Sequence, residues 1–385
     1  MKRRVVVVQY KPLEFLPPVM NLLLYLKSLG RNPIFVGVES NASNDFLLAN
    51  GIEHYYIPYD SRLYKNPTIL SKVTHRLIRA SRFYRCRSAL RSILQNIRNG
   101  QDDFLLWFAE VQSAALLGNA WKAYQRRAIT IYELADFKGR YWWGFSFGKF
   151  IKSTVVVEPE IHRARTIKDY FELSNMPFVV ANKPAEHPRI FRGELPDGVN
   201  RLLKKANGRP IFMYQGVWTP DRRDVGFVLE TIAKNRPQYC VAVMPGTEEI
   251  EKLSSKYKNV FAVDYIPPPR HLAATSVASV GIAIYNSSGR TELESKNAPF
   301  CAPNKIYEYA GFGVPTLGNK IPGLEDTIGR SGAGRCVNLD EEGIVAAADD
   351  LVANHDRYAE RANQFFDHTN VEQQVCEVLN AMEGV

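Results

Sequence analysis

Acidic residues are missing from one long stretch of this 385-residue chain: positions 61–100 hold ten Lys or Arg and no Asp or Glu. The formal net charge is +9, so that segment alone accounts for the excess and the rest of the chain is close to neutral. A generally basic protein is thereby excluded, and a specific anionic partner for 61–100 is expected instead. Cysteine is scarce as well. The five that occur (Cys86, Cys240, Cys301, Cys336, Cys376) are scattered and form no CxxC pair, which argues against a disulfide framework or a zinc site and for a reducing, cytoplasmic setting. No apolar run approaches the about 20 residues that span a bilayer. Met1-Lys2-Arg3-Arg4 and the following valines imitate the start of a signal peptide, but Gln9, Lys11 and Glu14 interrupt the apolar region, so the segment reads as a first β-strand.

With 45% hydrophobic and 23% charged residues, the chain has a globular composition, and its length fits two domains. Short β-branched or apolar runs alternate with helical patterns, the mark of βαβ units and parallel sheets. Strands are expected at Arg4 to Gln9, Pro33 to Val38, Phe104 to Phe108, Ile129 to Glu133, Thr154 to Val157 and Phe178 to Ala181. The pattern restarts with strands at Pro210 to Gln215, Cys240 to Met244, Val260 to Asp264 and Val280 to Tyr285. The polar, proline-bearing segment from Asn182 to Pro188 reads as a hinge. The expected division is 1–190 and 191–365 as two Rossmann-like domains, with 366–385 as a terminal helix.

The richest chemistry lies in the segment Pro303-Asn304-Lys305-Ile306-Tyr307-Glu308-Tyr309 and the Ala310-Gly311-Phe312-Gly313-Val314-Pro315 that follows. Asn304 is placed to cap a helix, and Lys305 and Glu308, three residues apart, share a face of its first turns. Helix-start N–H groups and a lysine attract phosphate, while a carboxylate accepts hydrogen bonds from the vicinal hydroxyls of a ribose. A solvated i,i+3 ion pair is the plainer alternative for these two residues.

That segment resembles the E-A-M-A-x-G-x-P signature of GT-B glycosyltransferases, and its opening is similar to the P-N-K-x-x-E-Y variant of bacterial polysaccharide enzymes related to family four. Tyr214-Gln215-Gly216 followed by Arg222 resembles the Y-Q-G-x5-R segment that opens the donor domain of the same enzymes. The resemblance implies two Rossmann-like domains facing across a cleft, with a C-terminal helix crossing back to the N-terminal domain. It implies that Gly216 lets the backbone approach the diphosphate, that Arg222 neutralises it, and that the loop holding Tyr265 meets the nucleobase. One feature departs from the family: eight residues before Glu308, where retaining members carry a first glutamate, stands Phe300. Retention or inversion is therefore left open.

No Asp-x-Asp motif occurs, and the implied scheme needs neither metal nor cofactor, the nucleotide sugar being a substrate. An inverting reaction needs a general base from the N-terminal domain. Asp136, just past the strand expected at Ile129 to Glu133, is the first choice and Glu133 the second. Glu158, Glu160, His162 and Arg163 open a helix after another strand, as acceptor-lining groups or as a solvated helix start. The aromatic loop from Phe137 to Phe145 is open between sugar stacking, lipid contact and core packing. In 61–100, Phe83, Cys86, Leu90, Ile93 and Ile97 recur at helical spacing among Arg76, Arg79, Arg82, Arg87 and Arg91. This basic amphipathic pattern fits an anionic membrane surface, placing the enzyme peripherally beside a glycan or polyprenyl-linked acceptor, and equally a core helix whose arginines are solvated or meet acceptor phosphates. The competing functions are a sugar-nucleotide epimerase or hydrolase of the same fold and a nucleic-acid-binding protein built on 61–100, disfavoured because that segment carries no reading motif.

Overall fold

The computed structural model describes residues 2–58, 72–100, 103–134, 145–216, 218, 224–286 and 291–384, with backbone alone at 72–80 and 82. The chain forms two compact units. The first comprises Met1–Ala181 and Val371–Val385, and the second Asn182–Asn370.

The first unit is built on a parallel sheet of seven strands: β1 (Arg4–Pro12), β2 (Ile34–Val38), β3 (Glu53–Ile57), β4 (Phe104–Phe108), β5 (Arg127–Thr130), β6 (Val155–Glu158) and β7 (Phe178–Val179). They lie in the order β3-β2-β1-β4-β5-β6-β7. Val5 to Val8 and Phe104 to Phe108 are almost wholly buried, as expected of strands covered on both faces. The helix Val371–Glu383 packs on β5, β6, β7 and the helix Pro17–Ser28, burying Val371, Val375, Val378, Leu379 and Met382. Arg31 pairs with its Glu383 at 2.5 Å.

The second unit has six parallel strands, β8 (Ile211–Gln215), β9 (Cys240–Met244), β10 (Val260–Ala262), β11 (Val280–Ala283), β12 (Thr316–Asn319) and β13 (Gly334–Val337), ordered β10-β9-β8-β11-β12-β13. In both sheets the first strand is flanked by the second on one side and the fourth on the other, the doubly wound order of dinucleotide-binding folds. Ligands of such sheets bind beyond the carboxyl ends of the strands where the winding reverses. In the second unit that point lies between β8 and β11.

Several expectations need correction. Residues 182–188, expected as a hinge, begin the second unit. The Asn182 amide donates to Ala302 O at 2.7 Å, and the Lys183 ammonium donates to Phe366 O at 2.6 Å and Thr369 O at 2.9 Å. Their polar groups are spent on the second unit, so the chain divides at Ala181/Asn182, ahead of position 190, and returns at Val371 instead of 366. The apolar stripe of the basic segment faces protein. Phe83, Cys86, Leu90, Leu94 and Ile97 of the helix Lys72–Gly100 are buried, and this helix packs on β3 and the helix Val111–Leu117. Arg87 is buried too: its Nε donates to Leu116 O at 2.9 Å and its Nη2 to Ala115 O at 3.1 Å. Arg91 Nη2 reaches Leu117 O at 3.2 Å. Carbonyls of a helix's last turn lack intrahelical partners, and these two arginines supply them. Their side chains are thereby committed inside the first unit. The side chains of Arg76, Arg79 and Arg82 lie outside the described residues. No described helix is long and apolar enough to cross a membrane.

Candidate functional site

Gly216 directly follows β8 with φ +136°, a region that L side chains rarely adopt. A Cβ there would lie 3.1 Å from the Lys305 ammonium and 3.8 Å from the Tyr214 hydroxyl. Lys305 thus arrives from the helix Asn304–Gly311 to stand over the bare backbone at the end of β8, its Nζ 4.2 Å from the centre of the Tyr214 ring. The helix starts differently from the expectation. Pro303 occupies the cap position, Asn304 is already helical, and no side chain caps the first turn. A rigid φ at proline suits the entry, and the first N–H groups keep their affinity for an anion.

The helix is fixed by Tyr309, which is fully buried. Its hydroxyl donates to Met213 O at 2.9 Å and accepts from Gln215 N at 3.2 Å, so the helix is bolted to the last residues of β8. Gly281 of β11 makes room for the ring: a Cβ there would fall 2.3 Å from Tyr309. Burial holds the Tyr309 phenol far above its ordinary range, which keeps it a neutral donor. One turn from Lys305, Glu308 turns its carboxylate toward His271, with Nε2 to Oε1 at 3.3 Å and both side chains about one-fifth exposed. The plain i,i+3 Lys305–Glu308 pair is not what the structure shows for Glu308.

His187 is wedged beneath this helix between Phe312 and Phe366. Its Nδ1 accepts from Arg189 N at 3.1 Å, so the proton sits on Nε2, which donates to Glu308 O at 3.1 Å. Burial lowers its pKa to about 4. Downstream of Gly216, the Asn286 side chain clasps the Asp224 backbone: Asp224 N donates to Asn286 Oδ1 at 3.0 Å and Asn286 Nδ2 to Asp224 O at 3.1 Å. The loop ends after β8 and β11 are joined there, at the reversal of the sheet.

Of the residues singled out in sequence, the structure unites Gly216 with Lys305 and puts Glu308 on the next turn. Tyr265 is 67% exposed on the loop after β10. Arg222 and Asp136 lie outside the described residues. Glu133 is exposed beyond the end of β5, which stops at Thr130 and not at Glu133.

In the first unit, the segment after β6 is not a solvated helix start. Glu158 is wholly buried, its Oε2 meets Arg163 Nε at 3.2 Å, and burial pushes its carboxyl up to about 8. Glu160 is nearly as buried and caps the helix Ile161–Phe171 by accepting from Arg163 N at 3.0 Å. At the reversal between β1 and β4, Glu110 accepts from Tyr10 N at 2.9 Å and pairs with Lys11 at 2.9 Å. Sequence reasoning overlooked His271, His187 and Glu110. A histidine immediately before a short apolar helix gives no pattern, and the partners of all three are distant in the chain.

No family model matches this chain, and no curated protein matches it in sequence. Solved structures do match along its whole length. A glycosyltransferase from Rickettsia africae ESF-5 is similar with a TM-score of 0.67 at 14% identity, covering 99% of both chains. HepE of Anabaena, in complex with UDP and glucose, gives a TM-score of 0.64 at 10% identity over 98% of this chain and 100% of that one. A UDP-N-acetylglucosamine 2-epimerase, so described provisionally, from Listeria monocytogenes gives 0.61 at 11% identity over 100% and 98%. At such identities the likeness speaks to architecture, and with the two doubly wound sheets it establishes that this chain has the two-domain α/β fold of the GT-B class.

Proposed function

We propose that this protein is a glycosyltransferase that moves a sugar from a nucleoside diphosphate sugar, UDP-linked, to a hydroxyl of a glycan or lipid-linked glycan. The observation that carries the reading is the approach of the Lys305 ammonium to the side-chain-free backbone of Gly216, with Glu308 one turn farther along the same helix. A cation and uncapped N–H groups beside open backbone suit a diphosphate, and a carboxylate about 5 Å along the helix suits the attached ribose. HepE, whose complex holds UDP and glucose, shares the architecture and supports the choice of donor.

In the reaction an acceptor hydroxyl oxygen attacks the anomeric carbon, and the bond from that carbon to the diphosphate oxygen breaks. The nucleoside diphosphate leaves with the electron pair. Lys305, the helix start and, by resemblance, Arg222 stabilise the charge that develops on it. If the anomeric centre inverts, the hydroxyl proton passes to Asp136. The first unit receives the acceptor in this scheme, and no metal takes part. In this scheme Arg76, Arg79 and Arg82, together with the exposed Arg85 and Arg98, serve an anionic surface or acceptor phosphates.

The test is UDP and UDP-glucose binding by calorimetry, followed by transfer to polyprenyl-linked glycans with and without a chelator. Lys305→Ala should weaken both ligands by roughly ten-fold or more, the worth of a charge-assisted contact. Undiminished affinity in a folded Lys305→Ala protein would refute the site. The Listeria neighbour supports one rival, an epimerase, which would release an altered sugar nucleotide with no acceptor present.

A further inference from the structure

We infer that His271 is a positioning residue for the donor's ribose, holding the Glu308 carboxylate in the orientation that receives the vicinal hydroxyls. This rests on the nucleotide reading of the site given above and adds to it a residue outside every motif.

The geometry links three separate parts of the second unit. His271 Nε2 lies 3.3 Å from Glu308 Oε1. The backbone that carries the ring is held at three points: His271 N donates to Pro267 O at 3.1 Å, His271 O accepts from Ala274 N at 3.0 Å, and it also accepts from Gln215 Nε2 at 3.4 Å. The other end of that amide is fixed by Thr275 Oγ1, which donates to Gln215 Oε1 at 2.8 Å. Gln215 immediately precedes Gly216, so one side chain connects the strand end that would face the diphosphate to the histidine that faces the ribose carboxylate.

The tautomer follows from the surroundings of the two nitrogens. His271 Nδ1 is buried with no hydrogen-bond partner. Of the two tautomers, the one with its proton on Nε2 places that proton toward the carboxylate and leaves no buried N–H without an acceptor. Nε2–H then stands beside Glu308 Oε1 as an electrostatic neighbour at 3.3 Å, favouring the carboxylate on that side. Oε2 together with the second lone pair of Oε1 remains for two hydroxyls. Without the histidine the glutamate would be free to rotate, and binding a ribose would first require ordering it.

Ribose discrimination is the decisive measurement. Affinities of UDP and 2′,3′-dideoxy-UDP are compared by calorimetry for wild type, His271→Leu, His271→Gln, Glu308→Ala and the Leu/Ala double variant, each checked for an intact melting transition. Wild type should prefer UDP by about ten-fold or more, as expected of hydrogen bonds to a charged acceptor. His271→Leu should lose most of that preference while binding the dideoxy nucleotide as wild type does. His271→Gln, which keeps an N–H near the Nε2 position, should restore it. Adding His271→Leu to Glu308→Ala should change nothing more. In turnover, His271→Leu should raise KM for the nucleotide sugar more than it lowers kcat.

The inference is overturned if His271→Leu weakens both nucleotides equally, or if it costs as much in the Glu308→Ala background as in wild type, since the histidine would then serve only the scaffold. A different failure marks the parent reading: wild type that binds no UDP, or Glu308→Ala that keeps full ribose preference, removes the site assignment and this inference with it.

Discussion

Replacing Gly216 by alanine separates the two things that residue does. The backbone there has φ +136°, and holding a non-glycine residue in such a region costs about 1–3 kcal/mol. The new methyl would sit 3.1 Å from Lys305 Nζ, which must retreat by a few tenths of an ångström. Retreat is easy for a flexible side-chain tip, but it lifts the ammonium from the Tyr214 face, a contact worth about 0.5–2 kcal/mol. The sum is about 1.5–5 kcal/mol, and in a unit of this size each kcal/mol lowers the melting temperature by about 2–4 °C. Gly208→Ala is the control: its φ is +79° and nothing lies within 4 Å of the added Cβ, so it carries the backbone cost alone. Differential scanning fluorimetry and UDP calorimetry on both variants give the answer. Gly216→Ala should melt lower and bind UDP roughly ten-fold more weakly, in line with partial loss of a charge-assisted contact. Gly208→Ala should melt lower and bind normally. If Gly216→Ala matches wild type in both assays, the placement of Lys305 over the end of β8 is wrong.

Tyr309→Phe deletes the hydroxyl that bridges Met213 O and Gln215 N, leaving two buried backbone groups short of a partner; chemical denaturation should show a loss of about 1–3 kcal/mol. Arg87→Met strips the Leu116 carbonyl of its guanidinium donor and leaves Ala115 O with the Gly118 N–H alone, and Arg87→Lys should rescue little of the resulting loss of about 1–3 kcal/mol, because a lysine lacks the planar fork. His187, lowered to about 4 from an ordinary 6.5, binds fewer protons folded than unfolded between those values. Its contribution is therefore complete above about pH 6.5 and is lost as the pH falls toward 4, by an amount on the order of a few kcal/mol. Melting curves from pH 7 to 4.5 should steepen in wild type and flatten in His187→Gln; identical slopes would show that the ring is not the group responsible.

The strands that the sequence announced most clearly are those rich in β-branched residues and buried on both faces, such as Val5 to Val8 and Cys240 to Met244. Strands β12 and β13 went unread because Thr316-Leu317-Gly318-Asn319 and Gly334-Arg335-Cys336-Val337 are four residues long and interrupted by glycine. The helix Asn304–Gly311 was legible through its motif and the spacing of Lys305 and Glu308. What periodicity could not convey was which surface covers a face. The stripe on the basic helix has the same pattern whether lipid or protein lies against it, and the guanidinium of Arg87 found helix carbonyls. Polar residues from Asn182 to His187 suggested a linker, yet Asn182, Lys183 and the His187 Nε2 each reach a backbone carbonyl more than a hundred positions away. His271 and Glu158 gain their character from neighbours set by topology, and a linear reading has no access to those.

The return of the chain at Val371 has a consequence for synthesis. Because Asn182–Asn370 is an insertion within the first unit, the amino-terminal part of that unit emerges from the ribosome early and then waits for the whole inserted unit before its last helix exists. Until then, the surface that will receive Val375, Val378, Leu379 and Met382 is an open apolar trough, and the inserted unit is the first that can be completed. A chain truncated just past Asn370 and released should hold a folded inserted unit tethered to an unfinished first unit that attracts chaperones. The order of maturation is thus the reverse of the order of translation.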